Sequence, residues 1–155
     1  MFEVDLMAEE NMPYIAAGPS PGFAAIVSQD PDAYNCSYTA SFKGYETDVL
    51  PMVEELADAG TVTIDDKTVA IISSNNPYSK TISEGMKTSF ADGGWDVVVD
   101  ELVPFGEVSD WKVILAKVNQ ANPDLVINTD YIPGNSVLFF KQFLEDPTDS
   151  LMFLQ

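Results

Sequence analysis

The chain contains no histidine and no arginine, and each absence removes a class of function. Without an imidazole, the chain can supply neither the base of a Ser-His-Asp site nor a histidine zinc ligand. Its 7 lysines stand against 25 acidic residues, which gives a formal net charge of −18. Nucleic acids and anionic membranes bind through lysine and arginine, so both are excluded as partners. The excess of acid is interpreted as a solubility surface, with an acidic docking face as the alternative.

Cysteine and long apolar runs are also scarce. The single cysteine, Cys36, precludes an internal disulfide and a cysteine zinc cluster, and its strand-like surroundings predict a small buried residue. No apolar run approaches the roughly 18 residues that cross a bilayer. Residues 1–11 are acidic and lack the basic start and apolar centre of a signal peptide. We therefore predict no metal site and no membrane insertion for this chain.

Phosphate-binding and nucleophile motifs are missing as well. The chain has neither GxGxxG after a strand nor GxxxxGK[ST], and it has no GxSxG elbow. Residues 73–80 (SSNNPYSK) could present backbone N–H groups to an anion at a helix start, but no glycine there lets the backbone approach closely. We therefore predict that the protein is not an enzyme and that it binds no cofactor. A flavodoxin-like or Rossmann-like enzyme is the disfavoured alternative.

What the chain does contain is a repeated strand–helix unit over residues 67–155. Apolar runs at 67–74, 95–101 and 124–130 each precede an amphipathic helix pattern, at 78–94, 109–123 and 135–146, before LMFLQ begins a further run. This alternation predicts an α/β fold with a parallel sheet and helices on both faces. Apolar residues at core spacing on two of the helices are predicted to pack against the sheet: Ile82, Met86, Phe90, Trp111, Leu115 and Val118.

The first part of the chain has a different character. Residues 2–11 indicate a helix end, 13–18 a short strand, 19–35 a loop rich in proline and glycine, and 36–41 a second strand. A helix is predicted at 45–59, with Val49, Val53, Leu56 and Met52 toward the core. We interpret residues 1–41 as part of one domain and 42–155 as nearly all of a second.

Two tyrosines follow the predicted strands of the repeat. Open parallel sheets bind ligands at the carboxyl ends of their strands, so the loops 73–78 and 129–135 are the first candidates for a site. Tyr78 and Tyr131 lie in these loops and offer flat apolar faces and hydroxyl groups, although either ring could instead cap the sheet edge. Asp130 could cap the turn into the next helix or accept a ligand's ammonium or amide N–H.

Taken together, these segments resemble the type I periplasmic solute-binding proteins of ABC importers, in the branch that takes branched-chain amino acids, amides and urea. The resemblance lies in residues 13–22, 67–98, 104–143 and the strand LMFLQ. It covers nearly the whole chain and depends on the combination of segments, since no single motif is diagnostic. The segments PFGEVSDW and NTDYIPGNSVLFFKQF are closer to the amide and urea branch.

The resemblance implies two α/β lobes that close on a small solute. Residues 1–41 would be the last part of the first lobe, with a hinge near 39–43. Residues 42–155 would form a flavodoxin-like parallel sheet lobe, most of the second. The chain would then be an internal fragment of a longer protein.

The resemblance also implies site residues and partners. Gly18 and Ser20 match the loop that holds a ligand's carboxylate, and Tyr78 and Tyr131 match two aromatic positions of the second lobe. Asp130 stands where many members have glycine, so it could replace part of the ammonium recognition or indicate a different solute. The expected function is a periplasmic or extracytoplasmic component that binds a small amino acid or amide between two lobes and delivers it to a membrane permease. A ligand-sensing module of a receptor or an amide-responsive regulator is the alternative.

Overall fold

The computed structural model describes residues 2–16, 21–39 and 45–154. The chain separates into two compact units, Met1–Lys43 and Gly44–Gln155. Reading these units as parts of two lobes stays a prediction.

The smaller unit pairs two short strands in parallel. Its described elements are helix α1 (Phe2–Glu9), strand β1 (Tyr14–Ala16), helix α2 (Pro21–Gln29) and strand β2 (Ser37–Thr39). Tyr14 lies opposite Ser37 in the β1–β2 ladder. Val4 and Phe23 are almost fully buried, and the Phe23 ring lies 5.9 Å from the Tyr14 ring of the same unit.

Helix α2 corrects one prediction, because it lies where proline and glycine indicated a loop. Pro21 is the first residue of the helix, a position where its missing N–H group costs nothing. Phe23 follows and is only 4% exposed. The proline and glycine signal therefore marks the start of a helix.

The larger unit alternates helices and strands along the chain. A 3-10 turn (Tyr45–Thr47) precedes α3 (Val49–Asp58), β3 (Thr68–Ser74), α4 (Pro77–Asp92), β4 (Asp96–Val103), α5 (Lys112–Ala121), β5 (Leu125–Asn128), α6 (Pro133–Phe143) and β6 (Leu151–Leu154). The strands form one sheet in the order β4-β3-β5-β6, and every neighbouring pair is parallel. The predicted α/β fold with a parallel sheet is confirmed.

Apolar residues fill both faces of this sheet, as parallel sheets require. Val69 and Ile71 of β3 pack in one cluster with α3 and α4, while Ala70 and Ile72 pack in a second cluster with α5 and α6. The six predicted core residues of α4 and of the α5 segment are all buried. In α3, Val49 and Val53 are buried as predicted, but Met52 is 43% exposed and Leu50 is buried in its place.

The strand order creates a switch point between β3 and β5. The chain moves from β3 to β4 on one side of β3 and then returns to place β5 on the other side. In open α/β sheets, the crevice outside the carboxyl ends of two such strands is the usual ligand site. The loops that follow β3 and β5 lie at that crevice.

Candidate functional site

The loop after β3 is fastened by buried polar side chains. The Asn76 side chain caps α4, because its Oδ1 accepts the Ser79 N–H at 2.9 Å. The Ser79 hydroxyl then donates to the Thr129 carbonyl at 2.7 Å, which ties this loop to the one after β5. Tyr78 lies in the middle of this arrangement and remains 40% exposed. The hydrogen bonds of Asn76 and Ser79 therefore fix the backbone on both sides of Tyr78.

The loop after β5 is organised around Asp130. Its side chain is fully buried; Oδ1 accepts the Ile132 N–H at 3.0 Å and Oδ2 accepts the Asn135 Nδ2–H at 2.6 Å. The Asp130 N–H donates to the Asn128 side chain at 2.9 Å. With both carboxylate oxygens turned into the loop, this geometry favours the capping alternative for Asp130. The neighbouring Tyr131 is 44% exposed.

A third loop, after β4, is joined to the same network. The Asn135 amide also donates to the Gly106 carbonyl at 2.8 Å, and its oxygen accepts the Val108 N–H at 2.9 Å. Phe105, which precedes Gly106, is 54% exposed. The sequence analysis did not predict Phe105 as a site residue. Phe105 follows the end of β4 as Tyr78 and Tyr131 follow the ends of β3 and β5, so the same rule could have found it.

The three loops bring three aromatic rings together. The Tyr78 and Tyr131 ring centroids are 5.7 Å apart with planes at 81°, an edge-to-face contact. The Phe105 and Tyr131 centroids are 6.1 Å apart with planes at 41°. Tyr131 is thus the central ring of a half-exposed aromatic surface, which can pack against a flat apolar group and offers two hydroxyl groups for hydrogen bonds.

Two predicted site residues have no structural account. Gly18 and Ser20 lie outside the described residues, so their proposed role toward a carboxylate stays a prediction. The structure does bring Tyr78, Tyr131 and Asp130 into one neighbourhood at the switch point.

The site offers contact surface and few reactive groups. Ser73, Ser74 and Ser79 are all buried, so the hydroxyl groups nearest the end of β3 do not reach the surface. Among the described residues, no group of three or more Cys, Asp or Glu side chains is arranged to hold a metal ion. Nor does any helix in the described ranges have the length and apolar character to span a membrane. The aromatic surface, with its exposed rings and with the serine hydroxyl groups buried behind it, suits reversible contact with a small molecule.

Residues 4–146 match a protein-family model described as periplasmic binding protein. No curated protein matches the chain. The match to the family model covers most of the sequence, including all three loops of the aromatic surface.

Solved structures give the same picture of the fold. One, provisionally assigned as a branched-chain amino acid ABC transporter from Silicibacter pomeroyi, is 28% identical with a TM-score of 0.89, over 98% of this chain and 38% of that one. A branched-chain amino acid ABC transporter from Thermus thermophilus with bound valine is 15% identical with a TM-score of 0.67, over 99% of this chain and 37% of that one. A solute-binding protein from Rhodopseudomonas palustris HaA2 in complex with p-hydroxybenzoic acid is 17% identical with a TM-score of 0.68, over 98% of this chain and 39% of that one. The chain therefore spans well under half the length of each of these proteins.

Proposed function

Because the chain belongs to the periplasmic binding protein family, we propose that it serves in the extracytoplasmic solute-binding component of an ABC importer. The observation that carries this proposal is the Tyr78–Tyr131 ring pair, 5.7 Å between centroids, at the switch point of the parallel sheet. Half-exposed rings held by buried polar bonds form a stable surface for a small solute. The proposed partners are that solute and a membrane permease, and the proposed location is the periplasm.

Each predicted site residue has a proposed role. Tyr78 and Tyr131 contact the solute through their rings and hydroxyl groups. Gly18 and Ser20 hold its carboxylate through the backbone and a hydroxyl group. Asp130 acts indirectly, because its buried carboxylate fixes the loop that carries Tyr131. Binding of this kind needs neither a metal nor a cofactor, and it involves no covalent step.

The proposed solute is a small amino acid or amide, with urea included. The Thermus thermophilus neighbour, which holds valine, supports an amino acid. An aromatic carboxylate is the second candidate, because Phe105 adds a third ring to the tyrosine pair. The Rhodopseudomonas palustris neighbour, which holds p-hydroxybenzoic acid, supports this class.

Ligand binding by the complete gene product tests the proposal. A thermal-shift panel of L-valine, acetamide, urea and p-hydroxybenzoate first identifies the tightest probe. Calorimetry with that probe then compares the wild type with Tyr78→Ala and Tyr131→Ala. Each variant is expected to bind about 1–3 kcal/mol more weakly through lost ring and hydroxyl contacts.

Val113→Ala is the matched control for removing an exposed apolar side chain. Val113 lies on α5 and is 74% exposed, so its removal is expected to leave affinity unchanged. Undiminished affinity in both tyrosine variants would reject this site.

A further inference from the structure

Phe105 extends the aromatic surface beyond the two tyrosines. Its ring lies 6.1 Å from that of Tyr131, and it is 54% exposed, the largest exposed fraction of the three rings. An exposed phenylalanine beside Tyr131 enlarges the same apolar surface without adding a hydrogen-bonding group.

Asn135 of α6 bonds to the loop that carries Phe105. Asn135 is 2% exposed, and its amide nitrogen donates to the Gly106 carbonyl at 2.8 Å and to the Asp130 carboxylate at 2.6 Å. Its oxygen accepts the Val108 N–H at 2.9 Å. The amide of Asn135 therefore bonds to the loop on both sides of Glu107 and also to the loop that carries Tyr131.

Gly106 has the large backbone freedom of a glycine, and its bond to Asn135 restricts that freedom. Gly106 has a φ of +135°, a conformation that residues with a side chain rarely adopt. Without the two Asn135 bonds, the loop would have to be ordered when a solute binds, and the ordering of loops and side chains weakens binding. A loop that is already fixed avoids that loss.

We infer that Phe105 is a third solute-contacting side chain and that Asn135 is the positioning residue that holds it beside Tyr131. This inference rests on the proposed function, since it concerns the same surface. Asn135 itself does not touch the solute, because its amide is buried and bonded to Asp130, Gly106 and Val108.

A double-mutant cycle separates a positioning role from a merely structural one. The complete gene product is measured with whichever of L-valine, acetamide, urea and p-hydroxybenzoate the wild type binds most tightly. The variants are Phe105→Ala, Asn135→Asp, the two combined, and Val113→Ala as the control. Asn135→Asp keeps the acceptor for the Val108 N–H but removes the donor to Gly106 and sets a carboxylate against Asp130. Asn135→Ser, smaller and uncharged, replaces it in the cycle if the aspartate variant does not fold.

Phe105→Ala is expected to raise the dissociation constant about tenfold, which is typical for a lost aromatic contact. Asn135→Asp is expected to raise it several-fold in the wild type and by a smaller factor in the Phe105→Ala background, because the part of its effect that acts through the Phe105 ring is lost there, while the part that acts through Asp130 and the Tyr131 loop remains. The effect of Asn135→Asp on the midpoint of guanidinium chloride denaturation is expected to be the same in both backgrounds. Val113→Ala is expected to change neither quantity.

Three outcomes overturn the inference, and they are distinguishable. Undiminished affinity in Phe105→Ala, with weaker binding in Tyr131→Ala, rejects the third contact and leaves the proposed function standing. An equal loss of affinity from Asn135→Asp in both backgrounds rejects the positioning role. Absence of binding of all four probes by the wild type rejects this inference together with the proposed function.

Discussion

The two ends of strand β5 use the same chemistry for different purposes. Asp124 lies just before the strand and accepts the N–H groups of Asp65 at 2.8 Å, Asp66 at 3.1 Å and Thr68 at 2.9 Å. Asp130 lies just after the strand and accepts N–H groups of Ile132 and Asn135. At each end, one carboxylate accepts hydrogen bonds from a neighbouring segment of the chain.

The difference lies in what each end presents to solvent. At the amino end, the Asp124 bonds fix the chain as it enters β3. At the carboxyl end, the bonds hold loops that present three rings, each 40–54% exposed. Keeping apolar rings in water forgoes the stabilisation that burial would give. We propose that the amino end serves stability and the carboxyl end serves binding.

Asp124→Ala is expected to destabilise the fold more than Tyr131→Ala, its counterpart at the carboxyl end. The carboxylate also accepts the Thr68 hydroxyl at 3.1 Å, so its removal leaves four donors without their partner. We expect the free energy of unfolding to fall by about 2–3 kcal/mol, measured by guanidinium chloride denaturation. Affinity for the probe solute should be unchanged in the folded variant.

Asp66→Ala is the matched control, because its exposed side chain is removed while its backbone N–H still donates to Asp124. It should change the free energy of unfolding by no more than about 0.5 kcal/mol. Weakened solute binding by Asp124→Ala would show that the two ends of the sheet are coupled.

The contribution of Asp124 is expected to depend on pH. Burial alone raises the pKa of its carboxyl group, but the N–H groups of Asp65, Thr68 and Asp66 and the Thr68 hydroxyl outweigh it and hold the pKa below its usual range. A group with a lowered folded pKa stabilises the fold fully above its unfolded pKa, about 3.9, and loses that contribution as pH falls through the folded value.

The difference in guanidinium chloride midpoint between the wild type and Asp124→Ala should therefore be constant between about pH 7 and 5 and should shrink at about pH 3. Taking this difference removes the general effect of titrating the other acidic residues, which both proteins share. A difference that stays the same at low pH would mean that the charge of Asp124 does not matter to its bonds.

The sequence alone predicts the fold class because each strand of the larger unit contains a run of three or more apolar residues and the helices between them carry apolar residues at core spacing. Sequence periodicity cannot predict which strands become neighbours, since β3 lies between β4 and β5 only through the folded topology. Helix α2 was missed because Pro21 and Gly22 have the same local signal at a helix start as in a loop.

The candidate site shows the same limit. Tyr78 and Tyr131 could be predicted, because the carboxyl-end rule needs only the end of each strand. The network behind them could not, since Asn135 bonds to Gly106 and Val108, which are 29 and 27 residues away in the sequence. Nothing near Asn135 in the chain indicates those partners.

Tyr131→Ala has a small expected effect on stability and gives the sharpest test of the contrast between the two ends. Its ring is 44% exposed and contacts only the similarly exposed rings of Tyr78 and Phe105 among the ring pairs described, so its loss should lower the free energy of unfolding by about 1 kcal/mol or less. Phe139→Ala is the comparison for a buried ring, being fully buried at 5.2 Å from Trp111, and should cost about 3–5 kcal/mol. A loss in Tyr131→Ala as large as that of Asp124→Ala in guanidinium chloride denaturation would mean that the ring serves the core, and the division between the two ends would not hold. We expect a small loss of unfolding free energy together with weakened solute binding. An exposed ring that contributes little to folding but much to affinity serves binding, as proposed for the carboxyl end.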